Sequence, residues 1–403
     1  MLAGRPTNRT TMRKGTKPMI DPTQGPERTA RPTASPGVHP AAIYRGGTSK
    51  GVLFRAEDVP PLPDDALEDW VRAVMGSSDP RQIDGLGGAD LLTSKFGIVG
   101  PSKDPTYDVD FTFFQVGFRE ATIARDSACG NLSSAAALFS IDEGIVRRGG
   151  DGRTFVRIRD VNTEALILAE VDDRQTPGLN GETGTAVWLD FASTAGSTTG
   201  SLLPTGNACD TIDVDGLGQI EVTIVDLANL VAYVRAQDVG VGAHMTPDAI
   251  ESDPVLMNTL EKVRGTVAAH LGMCPDWRGA ASQAPGVPFL ALISNPSDAP
   301  GNEATSLQAV GFAMRSIHRA YWVTGGVCTA VAAQIKGSIP NSAARIDAER
   351  PFRLRHPAGF LEVQATVTQG SDEHGAVHLT VNQARLFRTA RRIMTGHVAV
   401  PGY

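Results

Sequence analysis

The chain has 403 residues, a formal net charge of −7, 41% hydrophobic and 20% charged residues, few aromatics, and abundant Gly (43) and Pro (26). This length exceeds one ordinary core and predicts two domains, or one domain built from two halves, with many turns and short strands. The acidic balance, with no basic stripe among aromatics, excludes nucleic acid as the main partner, and no apolar run reaches the ~18 residues of a membrane span.

Residues 1–40 hold Arg5, Arg9, Arg13, Lys14, Lys17, Arg28 and Arg31 against Asp21 and Glu27, and are rich in Pro, Thr and Gly. Such a segment cannot bury a core, so a disordered basic tail is expected. It has no apolar h-region; the location expected is cytoplasmic, with a mitochondrial transit peptide as the alternative.

Folded structure is expected from Ala41, where Ala-Ala-Ile-Tyr-Arg reads as a strand, followed by Gly-Gly and a second strand from Gly51. Leu67, Trp70, Val71 and Val74 give helical spacing over 64–75. A Gly-rich loop spans 83–88, and strands follow at 96–99 and 107–116. From Ser127 the chain turns small and apolar, without a charge until Asp142, the pattern of a buried helix. Strands at 154–159, 165–171 and 186–191 lead to a Ser/Thr/Gly-rich boundary at 196–205.

The second half repeats this plan. Strands are predicted at 210–214, 219–226 and 230–235, helices at 248–252 and 254–270, and strands at 289–294 and 307–315. Thr324-Gly-Gly-Val-Cys-Thr-Ala-Val-Ala-Ala then reads as a second buried helix opened by Cys328, as Cys129 opens the first. Strands at 353–355, 361–368 and 377–382 follow, and 389–395 reads as a basic turn or helix. The expected domains are 41–205, with 385–403 returning to it, and 206–384.

Cys129 is the most suggestive residue. A thiol at a helix N-terminus meets free backbone N–H groups that favour thiolate and can hold a carboxylate; the plainer alternative is a small Cys packing a helix start. Lys95, between a Gly-rich loop and a strand, would become a base if desolvated; otherwise it is a strand-edge cation. Arg45-Gly-Gly-Thr-Ser-Lys-Gly fails the spacing of a phosphate loop, and Gly85-Leu-Gly fails the dinucleotide fingerprint because Asp90 stands in the third Gly position. Arg45, Thr48 and Ser49 still suit carboxylate binding. Cys129, Cys209, Cys274 and Cys328 form no C-x-x-C pair, so free thiols in a reducing compartment are expected. His244, His270, His318 and His356 are scattered, so no metal is predicted; His318 precedes the second Gly-Cys segment and either lines a site or packs.

Arg45-Gly-Gly-Thr-Ser-Lys-Gly, Asp84-Gly-Leu-Gly-Gly with Thr93-Ser-Lys95, and Cys129-Gly-Asn-Leu-Ser together resemble the PrpF family of 2-methylaconitate isomerases, 4-oxalomesaconate tautomerases and aconitate isomerases. Gly200-Ser-Leu-Leu-Pro-Thr-Gly-Asn, Thr324-Gly-Gly-Val-Cys and Arg388-Thr-Ala-Arg-Arg continue the resemblance across 41–401. It implies an α+β, diaminopimelate epimerase-like fold: two similar domains, each a curved, mostly antiparallel sheet around a central helix, with the site between them. It implies a cofactor-independent isomerase moving an allylic proton on a small unsaturated tricarboxylic acid. Lys95 and Cys129 become the catalytic pair, and Arg45, Thr48, Ser49, Ser94, Gly130, Asn131, Gly325 and Gly326 the substrate-binding groups. Cys328 matches only loosely a second-half thiol of the fold's epimerases. A homodimer is allowed. The rival functions are a Cys-nucleophile hydrolase, a non-catalytic partner of an aconitase-like dehydratase, and an amino-acid epimerase of the same fold.

Overall fold

The computed structural model describes residues 37–77, 79–177, 181–242, 245–296, 304–347, 349–371, 377–400 and 402–403. Most of the predicted tail, and His244, lie outside them.

The first half runs β1 (Val38–Gly46), β2 (Ser49–Arg55), α1 (Asp64–Met75), β3 (Lys95–Pro101), β4 (Val109–Val116), β5 (Ile123–Ala124), α2 (Gly130–Asp142), β6 (Arg153–Asp160), β7 (Ala165–Pro177) and β8 (Thr183–Asp190). The second runs β9 (Asp210–Val214), β10 (Gly218–Leu227), β11 (Asn229–Arg235), α3 (Pro247–Glu251), α4 (Pro254–His270), α5 (Ala280–Gln283), β12 (Phe289–Ser294), β13 (Leu307–Ala313), β14 (Ser316–Ile317), α6 (Val323–Ala332), α7 (Ile339–Ala343), β15 (Phe352–His356), β16 (Gly359–Ser371) and β17 (Val377–Ala399).

The strand pairings close a ring in the first half: β1–β2–β3–β4–β6–β7–β8–β17 and back to β1. Pairs β2–β3 and β4–β6 are parallel and the rest antiparallel. Strand alternation puts one side inside: in β6, Thr154, Val156 and Ile158 are buried while Arg153, Phe155 and Arg157 face out. Helix α2 threads this barrel and packs on all eight of its strands. Every residue from Gly130 to Ile141 is buried, which explains the absence of charge. Leu132, Leu138, Phe139 and Ile141 each contribute about 1.5–3 kcal/mol of burial, and Ala135, Ala136 and Ala137 let the strands approach. Gly144, at φ 69°, ends the helix.

The second half repeats the order as β10–β11–β12–β13–β15–β16–β17, again with the second–third and fourth–fifth strand pairs parallel. Strand β9 flanks β10, and α6 takes the place of α2. The fold is thus the α+β arrangement of two sheets around central helices. Strand β17 serves both: Val377–Arg385 pair with β16, Arg385–Ala390 with β8, and Ala390–Ala399 with β1.

Three expectations change. The first strand begins at Val38, three residues before Ala41. Residues 389–395 are strand, with Arg391 and Arg392 exposed and Thr389 and Ala390 buried. Cys328 does not open its helix. The two glycines before it lie within α6, because the ring of Trp322 and the side chain of Leu361 press where their Cβ atoms would be. Tertiary packing here overrides the low helix propensity of glycine. Helix α6 therefore starts at Val323 behind Trp322, and Cys328 is mid-helix, fully buried, its Sγ 3.6 Å from the Val225 carbonyl.

Candidate active site

The N-termini of α2 and α6 meet between the halves. A Cβ on Gly130 would lie 2.5 Å from Val323 Cγ1, so glycine is what allows the two first turns to touch. Helices α3, α4 and α7 start with side-chain caps from Thr246, Asp253 and Ser338. Helices α2 and α6 start without one, behind Cys129 and Trp322. Each leaves first-turn amides unsatisfied and the positive end of its dipole directed at the same place. Two converging positive ends repel each other unless an anion lies between them, so an acidic chain builds local positive potential from backbone.

A cavity lies there, lined by Lys95, Cys129, Gly130, Asn131 and Ser49 from the first half and Phe289, His318, Trp322, Val323 and Thr324 from the second. Lys95 opens β3 and is 6% exposed. Its Nζ donates to Gln115 Oε1 at 2.7 Å and sits 5.2 Å from the centre of the Phe113 ring. Gln115 is fixed in that sense because its Nε2 donates to the carbonyls of Ser94 (3.0 Å) and Leu91 (3.3 Å). No carboxylate among the described residues pairs with Lys95.

Cys129 is the N-cap of α2, with an extended backbone (φ −126°, ψ 94°) and 8% exposure. The peptide before it is held from the other half: Asn229 Oδ1 accepts the Ala128 N–H at 2.8 Å, and Asn229 Nδ2 donates to the Ala128 carbonyl at 2.8 Å and to Thr324 Oγ1 at 2.7 Å. One fully buried amide thereby ties both helix starts together. Asn162 Nδ2 also holds the Ser127 and Phe113 carbonyls.

Asn131 Nδ2 donates to Thr48 Oγ1 (3.0 Å) and Ser49 Oγ (3.1 Å), and its Oδ1 accepts from Arg388 Nε (3.2 Å). Gly46 and Gly47 let the β1–β2 turn approach the helix this closely, since their Cβ atoms would lie 2.0 Å from the Asn131 carbonyl oxygen and 2.2 Å from Asn131 Oδ1. Burial lowers the Arg388 guanidinium to about 10, still charged at neutral pH.

Five of the residues expected at the site are not among those lining the cavity. Arg45 Nη1 donates to the Gly47 and Thr389 carbonyls and to Thr389 Oγ1, bracing the turn against β17, while its buried Nε and Nη2 have no hydrogen-bond partner among the described residues. Ser94 donates to Gln82 Oε1 at 2.6 Å, and Thr48 reaches the site only through Asn131. Gly325 and Gly326 lie in the first turns of α6, under Trp322 and Leu361. No group of three His, Cys, Asp or Glu able to hold a metal occurs among the described residues.

Gln115, Asn229, Phe289 and Trp322 escape the sequence reading because strand register and packing bring them in. His318 had one signal, its place just ahead of the second buried helix. It is 3% exposed, Nδ1 accepts the Ala320 N–H at 3.2 Å, and the ring centroid lies 5.6 Å from that of Trp322. Burial, then the nearby Lys95, push its pKa down to about 3, so the imidazole is neutral.

The family model described as "PrpF protein" matches residues 38–401. The 3-methylitaconate isomerase of Eubacterium barkeri is 37% identical over 90% of this chain and 97% of its own length. The 4-oxalomesaconate tautomerase of Pseudomonas putida is 34% identical over 90% of this chain and 96% of its own. A crystal structure of methylitaconate-delta-isomerase superposes with a TM-score of 0.69 at 36% identity, covering 90% of this chain and 95% of that one. A hydroxyproline epimerase from Agrobacterium vitis, 13% identical, shares the fold with a TM-score of 0.56 over 90% of this chain and 93% of its own.

Proposed function

The chain belongs to the PrpF family, and from that premise we propose that it is an isomerase moving an allylic proton on a small unsaturated acid with two or three carboxylates. The observation that carries this reading is the cavity itself: an amine and a thiol from one half face two uncapped helix N-termini. The amides of Gly130, Asn131, Val323 and Thr324 hold carboxylates. Lys95, as neutral amine, takes the proton from the carbon next to the C=C bond; the C–H pair moves into a dienolate whose oxygens face fixed dipoles. A proton returns at the far allylic carbon, or at the first after bond rotation, and Cys129 either delivers it or holds the intermediate. Nothing is oxidised or reduced, and every group named belongs to one chain.

The placement also speaks against the epimerase alternative. Inversion at a carbon needs groups on two faces, whereas Lys95 and Cys129 both come from the first half and Trp322 stands where a second thiol would cap α6. A 1,3-shift or cis–trans change needs one face. Cys129 must stay reduced to act, which fits a cytoplasmic setting. The test is incubation with methylitaconate, cis-aconitate or oxalomesaconate in deuterated water, followed by NMR. Deuterium enters the allylic carbon with the wild type and not with Lys95→Ala. Full turnover by both Lys95→Ala and Cys129→Ser sinks this reading.

A further inference from the structure

The proton chemistry above leaves one buried, chemistry-bearing group of the cavity unused. His318 follows β14, its backbone N–H donates to the Gly311 carbonyl at 2.8 Å, and its ring lines the cavity that holds Lys95 and Cys129. The Ala320 N–H occupies Nδ1, which fixes that nitrogen as acceptor and puts the ring proton on Nε2. Nε2 has no hydrogen-bond partner among the described residues and is not one of the fully enclosed unpaired atoms, so in a residue only 3% exposed it opens on the cavity that His318 lines. An N–H with no protein partner that opens on a ligand cavity is a donor available to the ligand.

We propose that His318 is a third catalytic residue, whose Nε2–H donates to the substrate carboxylate oxygen on which charge develops as Lys95 removes the proton. The role rests on the isomerase reading and adds a named group to it. The hydrogen bond stays on the imidazole throughout: the C–H bond breaks at the allylic carbon, the pair moves through the C=C bond to the oxygen facing His318, and returns when the new C–H bond forms. A neutral donor suits this place. A neutral N–H strengthens its bond only as the oxygen gains charge, and so favours the transition state over the bound acid. Lys95 and His356 are the ionisable groups that act on the ring, and both oppose its protonation.

The test pairs His318→Asn, which keeps an acceptor near the Ala320 N–H, with His318→Gln, which keeps a donor at the reach of Nε2. Loss of one such donor lowers kcat by about 10²–10³-fold. His318→Asn is expected to show that loss with KM within a few-fold, and His318→Gln to recover at least about tenfold of it. Wild-type kcat in His318→Asn overturns the proposal. Long-range ¹H–¹⁵N spectra of the wild type supply a readout without turnover. The Nε2–H tautomer is expected from about pH 5.5 to 8.5, with its proton shifted by tricarballylate, a saturated tricarboxylate that cannot isomerise. An imidazolium at neutral pH, or no shift with tens of millimolar tricarballylate, overturns the proposal even if the variants fail to fold. A wild type that leaves every unsaturated acid unchanged defeats the isomerase reading instead, and the tricarballylate spectrum still decides His318.

Discussion

The two halves share one plan and, on the proposed reading, divide the chemistry. Lys95 opens β3 beside Gly51 of β2, and Phe289 opens β12 beside Val231 of β11, in the same parallel pairing. Cys129 caps α2 and Trp322 caps α6. Where the first half places an amine and a thiol, the second places two aromatic rings stacked with centroids 4.4 Å apart. What the halves keep in common is the uncapped helix start. Anion binding needs converging positive ends, and duplication supplies two. Proton transfer on one face needs only one set of groups, and the counterpart positions have become an apolar wall that excludes water and strengthens every electrostatic interaction inside.

This division is most sharply broken at the paired strand starts. Lys95→Ala should lower kcat by about 10²–10⁴-fold, the range of a positioned general base, while Phe289→Ala should mainly raise KM, since it touches the wall and not the proton. Steady-state kinetics with deuterium incorporation distinguishes them; an equal loss of kcat in both would mean that the halves share the chemistry. At the helix caps, Trp322→Ala removes the ring stacked on Phe289 and packed against Gly325 and Gly311. A destabilisation of about 3–5 kcal/mol is expected for loss of a packed aromatic, read by denaturant unfolding. Cys129→Ser should leave stability nearly unchanged and lower activity.

Much of this plan was legible before the structure. Helix α4 and strand β12 fall on their predicted bounds because caps and breakers (Asp253-Pro254, the end of β12 before Asn295-Pro296) mark them. The run after Ser127 could only be a buried helix, and its N-cap followed. Lys95 and Cys129 became a pair through the combined motifs of a family. The partners that decide the geometry were not legible: Asn229 reaches Ala128 across 101 residues, and Arg388 reaches Asn131 across 257. Long-range pairing of that kind leaves no local period. Thr324-Gly-Gly-Val-Cys misled for the opposite reason: a strong local signal for a helix start was overruled by the Trp322 and Leu361 side chains. The basic residues of β17 follow no period of two, and residues 391–395 are all exposed, so that part of the strand is easily read as a turn.

The halves also carry matched ionisable residues. Ile158 pairs with Val109 as Leu354 pairs with Leu307, so Asp160 and His356 hold equivalent places two residues on. Each caps its own turn, Asp160 Oδ1 accepting the Asn162 and Thr163 N–H groups and His356 Nδ1 the Ala358 N–H. Burial drives both neutral, raising Asp160 from 3.8 to about 7 and lowering His356 from 6.5 to about 4. Between about pH 4 and 6.5 the folded state holds more protons on Asp160 than the unfolded chain, so that group loses stability as pH rises. Over the same window it holds fewer on His356, so that group gains. These two slopes oppose and nearly cancel, which leaves the rise that His318, lowered to about 3 by burial, contributes over the same window. Relative to the wild type, Asp160→Asn should steepen the rise from pH 4 to 6.5 by roughly 2–3 kcal/mol, and His356→Gln should lessen it by a similar amount. Parallel slopes in the two variants would refute the pairing.

The smallest expected effect concerns the two thiols that look equivalent in the sequence. Cys328 is fully buried, its thiol pushed up to about 12 by burial, and it faces the Val225 carbonyl from the middle of α6. A thiol so placed is neither ionised nor reachable at any working pH. Native protein treated with iodoacetamide should therefore take label at Cys129, which lines the cavity, and none at Cys328, and a bound polycarboxylate should slow the labelling of Cys129 alone. Cys328→Ala should change kcat by less than about twofold and stability by about 1 kcal/mol, the scale of one small buried group lost from a packed helix. A kcat loss in Cys328→Ala comparable with that of Cys129→Ser would restore the two-thiol arrangement and overturn the division of labour between the halves.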